Sequence, residues 1–306
     1  MTFVAKHLSE KPKSGFAIIS VLIASMLFAS GGASRAVIGF PGTGISFASW
    51  RVVIGSVGLL FFVSNKYGTA GIKKLFRTPV MWAMGATTLL YQASFFMGAE
   101  KVGIAIGTLV ALGLAPLLAG LVSWWMGLGR PTWQWAVCTG TAISGLGLLT
   151  GTAGNADTRG LILVTLSGWC YSIFTVVGVK MVQKYGVTGA EVLAVAFTVG
   201  AIIALPIVAT TSSWLDSPKP IAAIVYAGLG ATTVAYLLFG NGISHLSAGT
   251  VSTLTLFEPV TATSLGVFLL GESMNLRGWI GCAIIIAGLG LLGYFESQMK
   301  KIPFDA

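Results

Sequence analysis

Charge is scarce in this sequence. Asp, Glu, Lys and Arg make up 9% of its 306 residues, and only nine of them are acidic. A soluble domain carries roughly 25% charged residues. With 55% of the residues hydrophobic, the shortage excludes an ordinary soluble domain and points to a chain that crosses a membrane many times. Cysteine and histidine are nearly missing too. Cys138, Cys170 and Cys282 fall in three different apolar runs, with no ligand spacing and no disulfide framework, and read as packing residues. His7 and His245 lie in the tail and near a helix end. No P-loop pattern, metal-binding cluster or nucleophile–base pair occurs, so neither an enzyme nor a cofactor or metal site is expected. The net charge of +9 does not imply nucleic acid, because the basic residues are scattered between apolar runs without an aromatic–basic platform.

What the chain has in quantity is apolar sequence of membrane length. The runs lie at about 15–33, 43–64, 80–99, 103–126, 132–151, 160–180, 189–210, 220–243, 248–270 and 277–295. The first resembles a signal peptide, with Lys6, Lys11 and Lys13 ahead of it, but it has a counterpart later in the chain that a discarded segment would not need. Forty-one glycines suit helices whose backbones approach closely in lipid. Trp50, Trp124, Trp125, Trp133, Trp135, Trp214 and Trp279 lie near span ends, as an interfacial aromatic belt requires. The connections carry Lys and Arg unevenly. Twelve fall on the side of the N-terminal tail and five on the other, with Arg51 inside the second run. By the positive-inside rule both termini are then cytoplasmic, which requires an even number of spans. Ten fits.

The second half of the chain repeats the first. Gly15 aligns with Gly160, Arg35 with Lys180, Thr43-Gly44 with Thr188-Gly189 and Gly55 with Gly200, all 145 residues apart. Gly85-Ala86-Thr87-Thr88 recurs as Gly230-Ala231-Thr232-Thr233, each followed by a tyrosine, Tyr91 and Tyr236. After a two-residue deletion Pro116 matches Pro259, and ISGLGLL at 143–149 matches IAGLGLL at 286–292. The expected organisation is therefore a tail (1–14), a first five-helix repeat (15–151), a connecting loop (152–159), a second repeat (160–295) and a C-terminal tail (296–306). An odd number of spans per repeat forces the halves into opposite orientations. Inverted repeats of this kind place a substrate site at their interface near the midplane and alternate access by rocking about it.

Candidate substrate-contacting residues follow from polar side chains that hydrocarbon would penalise. Thr88, Tyr91, Gln92 and Phe95 share a helical face of the third span. Thr233, Tyr236 and Asn241 do the same in the eighth, and Trp169 and Tyr171 join from the sixth. Together they suit an aromatic-walled cavity for a small zwitterionic or aromatic metabolite; the alternative is that the hydroxyls bond to their own helices and the rings simply pack. Arg51, near the start of the second span, can snorkel to the outer face, attract a carboxylate or pair with an acidic group. Glu258-Pro259 interrupts the ninth span. The glutamate can exchange a proton or bond the donors freed around the proline, and Pro116 and Pro259 read as a paired helix break.

The run from Gly228 to Leu292, with Glu258-Pro259, Gly271-Glu272 and the closing Gly-rich helix in order, resembles the second half of EamA-type members of the drug/metabolite transporter superfamily. Residues 15–151 are similar to the first half, including the arginine of the second span. In that first half Ala115-Pro116 and Gly129-Arg130 stand where the pattern has Glu-Pro and Gly-Glu, which weakens any role for paired glutamates. The resemblance implies an all-α membrane protein of ten helices in the cell (inner) membrane and a secondary transporter, most often an exporter of amino acids or related metabolites. The partners it implies are a small-molecule substrate and the bilayer. The competing expectations are a multidrug exporter of lipophilic compounds and a non-transporting scaffold or sensor.

Overall fold

A computed structural model describes residues 14–150, 157–212, 218–270 and 273–299. Most of the two expected tails, residue 151 at the end of the first expected repeat, residues 152–156 of the connecting loop, Trp214 and the Gly271-Glu272 pair lie outside the described residues. The described chain is helical throughout: α1 (Ser14–Ile38), α2 (Gly44–Tyr67), a short α3 (Ala70–Phe76), α4 (Pro79–Val102), α5 (Ile104–Trp125), α6 (Trp133–Thr150), α7 (Thr158–Tyr185), α8 (Gly189–Thr210), α9 (Pro218–Gly228), a π-helical stretch (Leu229–Val234), α10 (Ala235–His245), α11 (Ala248–Leu254), α12 (Phe257–Leu270) and α13 (Leu276–Met299).

Local sequence sets these boundaries. Thr43 caps α2 by accepting from the Ser46 N–H at 3.3 Å. Its counterpart Thr188 caps α8 in a capping box with Glu191, whose carboxylate accepts from the Thr188 N–H at 2.7 Å. Both caps satisfy N–H groups that a helix start leaves without partners. Pro79 opens α4, where its missing N–H costs nothing, and Gly103, at φ +85°, ends it. Gly186 closes α7 in the left-handed conformation, its N–H bonding Val182 O at 3.0 Å.

Seven helical segments among the described residues are long and apolar enough to cross a membrane: α1, α2, α5, α7, α8, the continuous α9–α10 and α13. The other three expected runs differ for separate reasons. In α4 the residues Thr87, Thr88, Tyr91, Gln92 and Ser94 dilute the apolar character. The 18-residue α6 carries Gln134, three threonines and a serine. The run at 248–270 is divided into α11 and α12 by a turn at Thr255-Leu256. Large apolar side chains cover the outside, among them Phe61, Trp125, Phe268 and Leu276. Such a surface suits lipid and would be unusual in water. The protein is an all-α membrane protein.

The helix pairing follows a pattern. α4 packs on α7 and α8, while α9–α10 pack on α1 and α2; α5 packs on α7, while α12 packs on α1. α2 lies against α8, and α6 against α13. In the α6–α13 seam a Cβ on Gly145 would come within 2.7 Å of Gly281 O, and one on Gly288 within 3.0 Å of the Cys138 carbonyl and the Ala142 nitrogen. Backbone touches backbone there, which only glycine permits.

The two prolines behave differently from the paired break expected of them. α5 runs through Pro116 without interruption. Proline removes only the bond to the Leu112 carbonyl, and packing holds the remaining ladder. Around Pro259 the helix does break, just ahead of the proline, which sits in the first turn of α12. The turn satisfies itself: the Thr255 hydroxyl donates to Ser252 O at 2.7 Å, and the Glu258 N–H to Thr255 O at 2.9 Å.

Candidate functional site

Six helices and the start of α12 converge on a cavity of about 100 Å³. α4 presents Tyr91, Gln92, Phe95 and Phe96; α7 adds Ser167, Gly168 and Tyr171; α10 brings Tyr236 and α12 Glu258. Arg51 enters from α2, Phe28 and Gly32 from α1, and Ala111 and Leu112 from α5. Small residues create the approach: a Cβ on Gly168 would lie 2.8 Å from Ala111 O.

The walls are aromatic. Tyr91 and Tyr236 join hydroxyl to hydroxyl in a buried hydrogen bond. The Tyr91 ring stands edge-on to Tyr171 at 5.6 Å between centroids, and Tyr236 packs on Phe28 at 4.8 Å and Phe197 at 4.3 Å. The fully buried Phe174 and Phe239 stack at 6.4 Å behind them. These are the spacings at which rings attract.

Into this wall project a few polar groups with unspent capacity. The Gln92 amide nitrogen donates to Thr88 O at 3.4 Å, while its Oε1 is buried with no donor facing it. Among the described residues no hydrogen bond or ion pair engages the Glu258 carboxylate. It does not bond the donors around Pro259, as one reading of the sequence expected, but faces the cavity from the first turn of α12. Tyr171 steadies that break, its hydroxyl donating to Thr255 Oγ1 at 3.3 Å.

Arg51 does not snorkel outward. It is 7% exposed, donating from Nε to Thr232 Oγ1 at 2.7 Å and from Nη2 to Ala231 O at 3.0 Å. A guanidinium in hydrocarbon needs such partners, and the π-helical stretch supplies them by turning a carbonyl and a hydroxyl toward α2. Arg51 and Glu258 both line the cavity.

The other candidates are placed elsewhere. Thr88 is fully buried and bonds Met84 O of its own helix at 2.9 Å. The Thr233 hydroxyl reaches Gly55 O at 3.1 Å and joins α2 to the π-helical stretch. Asn241 donates to Ser20 Oγ at 3.0 Å, tying α10 to α1. Trp169 is 46% exposed and faces outward. Reading the sequence missed Phe28, Phe96 and Ser167. Phe96 directly follows Phe95, and Ser167-Gly168 is a small pair beside aromatics, but Phe28 sits in a uniformly apolar run that offers no signal.

Comparison with known proteins bears on this arrangement. Residues 158–294 match the EamA-like transporter family. Along 92% of its length the chain is 30% identical to the uncharacterized transporter YwfM of Bacillus subtilis, covering 94% of that protein. The chain belongs to the EamA-like transporter family. As a member it is also 27% identical, over 93% of its length and 95% of the relative's, to the threonine/homoserine exporter RhtA of Salmonella typhimurium. It is 26% identical, over 83% and 86%, to a probable terminal-alkyne amino-acid exporter of Streptantibioticus cattleyicolor. A solved crystal structure that is 18% identical superposes with a TM-score of 0.76 over 95% of this chain and all of that one, a likeness of fold. The EamA-like chain is thus a membrane transporter by family.

Proposed function

We propose that this protein is a secondary-active exporter of small metabolites such as amino acids. It has ten membrane-spanning helices in two inverted five-helix repeats, with both termini in the cytoplasm, and sits in the cell (inner) membrane. The cavity carries the reading. It combines one carboxylate, one guanidinium and one unpaired amide oxygen within aromatic walls, a set that complements a zwitterion: Glu258 and Gln92 Oε1 toward an ammonium, the aromatic faces toward the same cation, and Arg51 toward a carboxylate. At about 100 Å³ it is smaller than the ~300 Å³ at which small-molecule sites begin. Binding therefore requires the halves to part, which is the motion alternating access supplies. Tyr91 and Tyr236, which align 145 residues apart, would separate in that motion, so their bond acts as a latch between halves.

Three observations support the two-half organisation. α4 contacts α7 and α8 as α9–α10 contact α1 and α2. Thr43 and Thr188 cap corresponding helices. The glycine contacts of Gly145 and Gly288 correspond residue for residue. Two relatives named as exporters of amino acids favour that substrate class. The aromatic walls and the lone carboxylate also fit a lipophilic cation, the second reading. Counterflow in liposomes separates them. Labelled threonine, homoserine and phenylalanine are compared with a lipophilic cation, with and without a pH gradient. Amino-acid exchange that Glu258→Gln reduces is expected; exchange of the cation alone would replace the first reading with the second.

A further inference from the structure

A second, larger cavity of about 410 Å³ lies toward the C-terminal ends of α5, α7 and α10, three of the helices that line the central one. Along α5, α7 and α10 its lining residues Gly120, Val179 and Ile243 stand seven or eight residues beyond Leu112, Tyr171 and Tyr236 of the central cavity. At 1.5 Å per residue that is a displacement of about 10–12 Å. Along α7 and α10 the buried Phe174 and Phe239 fall between these two sets of positions. Its size is within the ~300–1,000 Å³ of small-molecule sites.

The lining carries both signs of charge and unused donors. Arg130 and Glu296 face the cavity, and among the described residues the single ion pair joins Arg35 to Glu100 instead, at 2.7 Å. Glu296 is held by the Thr250 hydroxyl, which donates to Oε1. The Ser123 hydroxyl, on a side chain 9% exposed, has no hydrogen-bond partner, and neither does the buried Trp135 Nε1. The Trp135 ring is fixed between two glycines: a Cβ on Gly249 would lie 2.9 Å from Nε1, and one on Gly120 would strike the ring. Trp135 was expected in the interfacial belt; here its ring is part of a wall. Unpartnered buried donors are costly unless something accepts from them. A ligand carboxylate beside Arg130 would do so, while its ammonium meets Glu296.

We propose that this cavity is a second binding site, a loading station for small amino-carboxylate zwitterions on their way to the central cavity. The proposal rests on the exporter reading, since the positive-inside count puts Arg130, Ser247 and Glu296 on the cytoplasmic side. With Phe174 and Phe239 between the two sets of positions, the sites fill independently.

Equilibrium binding of labelled L-threonine and L-phenylalanine to the full chain in lipid nanodiscs, where both faces are open, tests it. Two equivalents per chain are expected. Arg130→Gln and Glu296→Gln should each remove one equivalent and leave the one that Glu258→Gln weakens. Arg130→Lys should retain both, which separates loss of charge from loss of fold. A single equivalent, untouched by Arg130→Gln and Glu296→Gln but weakened by Glu258→Gln, overturns the second site and leaves the exporter reading standing. Absence of binding by either amino acid, together with counterflow of the lipophilic cation alone, overturns both.

Discussion

The sequence Gly-Ala-Thr-Thr occurs twice, and the two copies adopt different helices. At 85–88 it lies inside the regular α4, where Thr87 and Thr88 both return their hydroxyls to Met84 O. At 230–233 it forms the π-helical stretch, where Thr232 reaches back five residues to Ala227 O and Thr233 to Gly228 O. The four residues cannot be the cause. Their partners are. Arg51 grips Ala231 O and Thr232 Oγ1, and Gly58 gives Thr233 the room to approach α2. At the corresponding places, 145 residues on, α8 has Ala196 and Ile203. Tertiary contact overrides local propensity here. The cavity's charges show the same one-sidedness, since Glu258 corresponds to Ala115, 143 residues earlier.

That contrast can be attacked directly, most severely at Gly58. Gly58→Ile, which copies Ile203, would drive a side chain into Thr233. Overpacking of this kind costs about 1–3 kcal/mol or more, and collision with a short β-branched side chain that is itself bonded to Gly55 O puts this case at the top. The expected result is little folded carrier by size-exclusion chromatography in detergent. Next comes Arg51→Ala, which leaves the π-helical carbonyl and hydroxyl without a charged donor. A loss of about 3 kcal/mol in thermal stability is expected, with exchange abolished in liposomes. Preserved stability would mean that Arg51 does not hold the π-helical stretch.

Glu258→Ala, which copies Ala115, should fold normally because no hydrogen bond is lost among the described residues. Amino-acid exchange should fall about tenfold or more, a value near 1.4 kcal/mol of lost ligand interaction. The measurement is counterflow at saturating and limiting substrate. The smallest effect separates the paired threonines. Thr232→Val removes the acceptor of Arg51 Nε and should cost about 1–2 kcal/mol. Thr88→Val removes only a bond to its own helix and should cost less than about 0.5 kcal/mol. Equal losses in parallel melts would erase the distinction between the two copies.

Much of the fold was legible because membrane spans announce themselves by length and composition. The three segments that fall short do so for reasons also visible in the sequence: polar residues in α4 and α6, and Pro259 near a break. The candidate site was legible in part. A helical period says which residues share a face, and it put Tyr91, Gln92 and Phe95 together on α4. It does not say which side chains on a face satisfy themselves, and Thr88 does. Nor does it fix the azimuth of a helix: Trp169 and Tyr171 are two positions apart, and they point to the outside and to the cavity. The inward turn of Arg51 depends on a carbonyl 180 residues away, and the π-helical stretch depends on Arg51. Neither half of that pair is visible without the other.

The seam between α6 and α13 has one more consequence. Gly145 rests against Gly281 and Ile285, and Gly288 against Cys138 and Ala142. Shifting each number by 143 turns the first set of contacts into the second. If the two ends of a transport cycle differ by the halves trading conformations, this seam is carried onto itself and looks the same at both ends. In such a cycle it would be the fixed post from which displacements of the other helices are measured.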